Sequence, residues 1–307
     1  MSAAADVAIE TFDAVLPGGI TLRCRASGPP GAPQLMFLHG FPEAAFVWDD
    51  LLTHFGGRYR CVAPNLRGFA PSSMPDAVEA YRVKHLVGDL VALLAQCGGG
   101  PLQALVAHDW GGAVAWTLVA RQPGFTQRLV IINSPHPATF LRELRNSAAQ
   151  QAASAYMNFL CRPDAERLLA EDDYARMWSM FTQMSADDPA RQGGGWLTEA
   201  TRQRYRDVWS AGLTGACNYY RASPLRPATA CDTSVMRVAL DDDDVSVRVP
   251  TRVVWAEDDT ALPVALLDGL EAFVTSLQVV RVPGATHWIV HERPQFVAEQ
   301  IERSLAT

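Results

Sequence analysis

The segment richest in usable chemistry is Ala107-His108-Asp109-Trp110-Gly111-Gly112. It stands between a short apolar run, Ala104 to Ala107, and a stretch of helical character from Gly111 to about Gln122. Small residues two places either side of Asp109 permit a sharp strand–turn–helix elbow whose central side chain stands proud at the sheet edge. Such elbows usually carry a serine. A carboxylate is already ionised near neutral pH and needs no base to become a nucleophile. On an ester or amide carbonyl it would form a reactive anhydride, which is a poor route. On a saturated carbon bearing a leaving group it forms an alkyl ester, which water can later cleave. The electrophiles that fit are a strained epoxide or an alkyl halide. An aspartate here could also be a plain helix N-cap, so its partners decide.

Cleaving the ester needs a base to activate water. His287, in Pro283-Gly284-Ala285-Thr286-His287-Trp288, follows the last apolar strand run and so belongs at the sheet's carboxyl end. His39, His54, His85, His136 and His291 fall in turns or helices and read as structural. The base needs an orienting acid, and Trp255-Ala256-Glu257-Asp258-Asp259 offers three carboxylates after the preceding strand. The order nucleophile, acid, histidine is that of this elbow architecture. Asp259 is the choice and Asp258 the alternative. Another strand end reads Ile132-Asn133-Ser134, but Asn133 cannot supply the charge that stabilises an imidazolium.

The elements that must position these groups are legible as alternation. Residues 7–15 and 20–26 read as strands joined by Leu16-Pro17-Gly18-Gly19, a hairpin signal. Leu35–Leu38, Arg60–Ala63, Ala104–Ala107, Leu129–Ile132, Thr251–Trp255 and Leu277–Val282 are short runs suited to buried strands. Helical spacing appears over 82–96 and 263–274, and Pro294 opens a final helix. The pattern predicts an α/β fold with a mostly parallel sheet flanked by helices. From about 138 to 245 the strand signal disappears, and helical spacing is broken by Pro163, Pro189, Gly193-Gly194-Gly195 and Pro224. This block reads as an all-helical cap inserted between core segments 1–137 and 246–307, closing a site at the strand ends.

Composition excludes several classes of function. The 307 residues can bury a core without metal or disulfide staples. Apolar residues at 49% and charged residues at 19% describe an ordinary globular chain. Against 33 acidic residues there are 26 Lys and Arg, a net charge of −7 with no long basic run, so no nucleic-acid partner is expected. The most apolar long segment, 102–120, contains His108 and Asp109, so no membrane span is expected. Met1 to Glu10 shows no secretory pattern, and six scattered cysteines point to free thiols in a reducing compartment. A cytoplasmic protein is the expectation, with a homodimer left open. Asp241-Asp242-Asp243-Asp244 reads as a solvated acidic loop without the ligand spacing of a calcium site. Gly193-Gly194-Gly195 reads as a loop of the cap, either gating access or merely on the surface.

With these residues in view, the chain resembles the α/β-hydrolase superfamily and, within it, the epoxide hydrolases with an aspartate nucleophile. Four segments carry the resemblance: His39-Gly40-Phe41-Pro42, the Asp109 elbow, Asn133-Ser134-Pro135-His136-Pro137, and the Asp259/His287 pair. It implies an oxyanion hole from the backbone N–H groups of Phe41 and Trp110. It also implies two cap tyrosines that bind the epoxide oxygen and supply its proton, Tyr156 in Tyr156-Met157-Asn158-Phe159 and Tyr220 in Asn218-Tyr219-Tyr220-Arg221. An alkoxide leaving group is strongly basic and needs such a donor, whereas a halide does not. Haloalkane dehalogenases resemble the chain at the elbow, but bind halide through a side-chain N–H where Phe41 stands. A ligand-binding homologue without catalysis is the third alternative. The expected partners are a small apolar epoxide and water, with no cofactor and no metal. Ala256, where a glycine is expected after the strand tryptophan, departs from the family pattern.

Overall fold

The computed structural model describes residues 7–183 and 195–306. One sheet of eight strands organises it: β1 (Glu10–Leu16), β2 (Ile20–Ser27), β3 (Gln34–Leu38), β4 (Arg60–Pro64), β5 (Ala104–His108), β6 (Leu129–Ile132), β7 (Thr251–Ala256) and β8 (Leu277–Val282). Across the sheet the order is β1-β2-β4-β3-β5-β6-β7-β8. Strands β1 and β2 form an antiparallel hairpin, and β2 runs antiparallel to β4. Every pairing from β4 onward is parallel. A parallel strand is covered on both faces, which explains why β5 and β6 are buried throughout and read as unbroken apolar runs. In the expected hairpin turn, Gly18 and Gly19 both adopt positive φ.

Helices α1 (Asp49–Phe55), α2 (Val83–Gln96) and α3 (Asp109–Arg121) follow β3, β4 and β5. After β6 comes the helical insertion: α4 (Pro137–Asn146), α5 (Ala148–Ala153), α6 (Ala155–Leu160), α7 (Ala165–Gln183), α8 (Glu199–Trp209) and α9 (Thr214–Ala222). Helix α7 is broken at Glu171–Tyr174, where Asp172, Asp173 and Tyr174 take positive φ. Among the described residues no strand lies between Ile132 and Thr251. Of the run Gly193–Gly195, the first two glycines lie outside the described residues, as does Pro189.

One expected element is corrected. Residues 263–274 do not form a helix but two short 3-10 turns, Val264–Leu267 and Leu270–Ala272. Asp268 is extended, and Gly269 follows in the left-handed region at φ 73°, which ends any helical run. The Asp241–Asp244 run is not wholly an open loop either. It forms one short turn, α10 (Asp242–Val245), and Asp244 pairs with Arg121 at the end of α3. The chain closes with α11 (Ile289–Glu292) and α12 (Pro294–Leu305). No helix of the described residues is long and apolar enough to cross a membrane.

Candidate active site

The backbone at the end of β5 makes the elbow. Asp109 adopts φ 49°, a conformation that costs a non-glycine residue energy and that α3, starting at the same residue, holds in place. Gly111 makes the bend fit: a Cβ there would lie 2.5 Å from the Leu38 carbonyl oxygen and 2.6 Å from that of His39. Ser134 Oγ donates to the Asp109 carbonyl at 2.7 Å and pins the turn from the end of β6. The Phe41 N–H donates to Asp109 Oδ1 at 2.7 Å, leaving Oδ2 toward His287.

His287 and Asp259 meet behind the carboxylate. His287 Nδ1 lies 2.7 Å from Asp259 Oδ2, and its Nε2 lies 3.7 Å from Asp109 Oδ2. That second distance exceeds a hydrogen bond. Bonding at Nδ1 sets the tautomer and leaves Nε2 facing the nucleophile. Burial alone would push His287 down, but Asp259, with Asp109 and Glu43 behind it, carries it up to about 9. The ring therefore rests as an imidazolium near neutral pH.

Of the two candidate acids, Asp259 is the one against His287. Its Oδ1 accepts from the N–H groups of Ala261 and Leu262 at 2.9 and 3.0 Å, and its Oδ2 from Asn133 Nδ2 at 2.7 Å. Asp258 instead donates its backbone N–H to Ala285 at 3.0 Å. Asn133, set aside as an acid, is a positioning residue: it adopts φ 37° and accepts the Ala256 N–H at 2.8 Å while donating to Asp259.

Tyr156 on α6 and Tyr220 on α9 come together from the insertion, their ring centroids 6.0 Å apart. Tyr220 also packs edge-on against Phe41 at 5.2 Å and Trp110 at 5.1 Å. Burial pushes both phenols up, and the negative charge of Asp109 pushes the same way, so both keep their protons. Two cavities meet at these residues. One, of about 260 Å³, is lined by Asp109, His287, Tyr156, Tyr220, Phe41 and Trp288. The other, of about 730 Å³, shares Asp109 and both tyrosines and extends away beneath the insertion.

A second buried network went unseen in the sequence. Glu43, fully buried, accepts from Tyr205 Oη at 3.0 Å and lies 2.6 Å from His291 Nε2. Its other oxygen stands 3.2 Å from His108 Nδ1, close enough for charge attraction but out of line for a hydrogen bond. His108 Nε2 in turn meets the His287 carbonyl at 2.9 Å. Burial pushes the Glu43 carboxyl up, and the two imidazoles outweigh it and hold it well below its usual range. The signal was a lone acid amid Phe41-Pro42 and Ala44-Ala45-Phe46, since such a residue is buried only when paired. Among the described residues no group of three or more His, Cys, Asp or Glu is placed to hold a metal ion.

Residues 33–294 match the α/β-hydrolase fold family. The chain belongs to the α/β-hydrolase superfamily. It is 31% identical to an AB hydrolase superfamily protein, YfhM, of Bacillus subtilis over 92% of this chain and 93% of that one. It is 31% identical to epoxide hydrolase 3 of Xenopus tropicalis over 91% of this chain and 73% of the relative. Among solved structures, the epoxide hydrolase of Bacillus megaterium in complex with an inhibitor superposes with a TM-score of 0.85 at 29% identity. That match covers 96% of this chain and all of the other, 100%. An epoxide hydrolase from hot-environment metagenomes gives 0.83 at 35% identity, covering 96% of this hydrolase and 98% of its own length.

Proposed function

We propose that this chain hydrolyses epoxides to vicinal diols through a covalent ester on Asp109. The observation that carries the proposal is the Asp109 carboxylate, which shares a cavity with two protonated tyrosines and is held at one oxygen by the Phe41 N–H. An Asp109 oxygen attacks an epoxide carbon, the carbon–oxygen bond of the ring breaks, and the new alkoxide takes a proton from Tyr156 or Tyr220. Alkylation erases the charge on Asp109, so one of the carboxylates that holds His287 protonated disappears. The imidazole, still oriented by Asp259, then gives up its proton to the tyrosinate left by ring opening, which restores the phenol, and as a neutral base it can draw one from water. Hydroxide attacks the ester carbonyl carbon. The oxygen that becomes negative is the one beside Phe41, where the N–H groups of Phe41 and Trp110 stabilise it. Collapse releases the diol and restores Asp109. No step requires a cofactor or metal.

The kinship supports this reading, since a variant of the Bacillus megaterium enzyme, matched at a TM-score of 0.85, is solved with its naphthyloxy-propanediol product. Phe41 supplies no side-chain N–H for a halide, which tells against a dehalogenase. The test is a single turnover with enzyme in excess, in water enriched in heavy oxygen. The first diol should be mostly unlabelled, and the label should appear in the peptide containing Asp109. Label appearing at once in the diol, with that peptide unchanged, overturns the covalent route. A panel of styrene oxide, an aliphatic epoxide and a bromoalkane, read for diol and halide, tests the reaction class. Halide release without any diol would overturn it in favour of dehalogenation.

A further inference from the structure

Asp259 holds one side of the His287 ring, but its Nε2 stands 3.7 Å from Asp109 Oδ2, beyond a hydrogen bond. The backbone of the loop from Pro283 to Trp288 therefore decides how far Nε2 reaches. The residues either side of the histidine are both tied to one carboxylate. Glu292, at the end of α11, accepts the Thr286 N–H at 3.0 Å with one oxygen and the Thr286 hydroxyl with the other. That hydroxyl oxygen in turn accepts the Trp288 N–H at 3.3 Å. The Ile289 N–H closes the turn on the Thr286 carbonyl at 3.1 Å. His287 is thus the apex of a turn whose two feet stand on Glu292. Thr286 is fully buried, so its polar groups must find partners inside the protein. Bonds to an ionised acceptor are about twice as strong as neutral ones. Helix α11 does not itself explain the carboxylate, since a negative charge at a helix C-terminus is unfavourable. A separate strap holds the start of the loop: Arg293 Nη2 donates to the Gly284 carbonyl at 2.8 Å and the Pro283 carbonyl at 3.3 Å.

We propose that Glu292 is a positioning residue for the base. Acting through Thr286, it sets the distance from which His287 meets the ester, and it takes no part in the attack on the epoxide. The proposal rests on the epoxide reading for the reaction it serves. His287 enters only after Asp109 is alkylated, so loosening its turn slows ester hydrolysis and leaves alkylation alone. A residue that merely stabilised the fold would lower the number of active sites and slow neither step at a site that remains.

Rapid mixing with styrene oxide, followed by intact mass measurement, reads the two steps separately, and the fraction alkylated counts the active sites. Glu292→Ala should slow ester hydrolysis by about a hundredfold, the cost of a misplacement on the order of 1 Å. Ester should then accumulate at an unchanged alkylation rate. Glu292→Gln keeps an oxygen and an N–H for the same two groups and should recover most of the loss. Thr286→Val removes only the hydroxyl link to Trp288 and should shift hydrolysis the same way by less. Arg293→Gln is the control and should accumulate no ester. A second readout needs no turnover. The proton between His287 Nδ1 and Asp259 should give a far-downfield NMR signal, assigned by its loss in His287→Gln. Glu292→Ala and Thr286→Val should broaden that signal, and Arg293→Gln should keep it. If Glu292→Ala and Thr286→Val hydrolyse the ester at the wild-type rate per site, or if Arg293→Gln accumulates ester as Glu292→Ala does, the assignment is overturned. If the signal responds as expected while wild-type enzyme turns over no epoxide, the positioning role stands and the epoxide reading falls. If epoxides are turned over and the signal is the same in all three variants, the positioning role falls and the epoxide reading stands.

Discussion

Replacing Asp259 with asparagine separates the two chemical steps, because only the second needs an imidazole that ends the step charged. In the native site Asp259 is the foremost group lifting His287 against burial, from the usual 6.5 up to about 9. At 1.36 kcal/mol per pH unit this is about 3 kcal/mol of preference for the imidazolium. The pair is almost wholly buried, so solvent screens it little. Asparagine keeps the shape and loses the charge, which slows ester hydrolysis on the order of a hundredfold. It can also turn its amide and reverse the tautomer of the ring, an effect that reaches about ten thousandfold in related triads. Alkylation draws on Asp109 and the tyrosines and should change far less. Rapid mixing with an epoxide, followed by intact mass measurement, should find the variant carrying one substrate mass and wild-type enzyme mostly free. The reasoning is refuted if alkylation slows as much as hydrolysis, or if turnover falls with no ester accumulating.

Tyr156→Phe and Tyr220→Phe should each slow epoxide opening by about a hundredfold, the lower end of the usual range for acid catalysis, and together nearly abolish it. Full alkylation rates in the double variant would remove the proton-donor assignment. Stability should peak near pH 6.5. Buried His39 and His136 are held down to about 4, so their unfolded forms take up protons first and stability is lost as pH falls from 6.5 to 4. His287 is raised, so its contribution is full below 6.5 and lost as pH rises through 9. Urea unfolding across pH 4 to 9 checks both limbs, and stability climbing steadily above 6.5 contradicts the second. Glu43→Ala strips Tyr205 and His291 of a buried acceptor and His108 of a nearby charge. It should cost about 3–5 kcal/mol in unfolding free energy, and a change under about 0.5 kcal/mol would show that the network holds nothing.

Local sequence was enough to place Asp109. Small neighbours, an apolar strand before it and a helix after it are all contiguous, and a carboxylate in that place restricts the chemistry by its charge alone. The parallel strands were legible for the same reason, since burial on both faces writes an unbroken apolar run. Choosing between Asp258 and Asp259 was beyond such reasoning. Adjacent residues of one type differ only in backbone direction, and it is the Asp258 N–H bond to Ala285 and the Ala261 and Leu262 N–H groups that turn Asp259 inward. The 263–274 segment kept an apolar spacing that suits a helix, yet Gly269 in the left-handed region broke it into turns. The Glu43 network draws on residues 43, 108, 205 and 291, which no local pattern connects. The two cavities depend on how far the insertion stands from the sheet. Long-range packing settles such distances, because burying charge and apolar surface is a bargain struck by the whole chain and not by any one stretch of it.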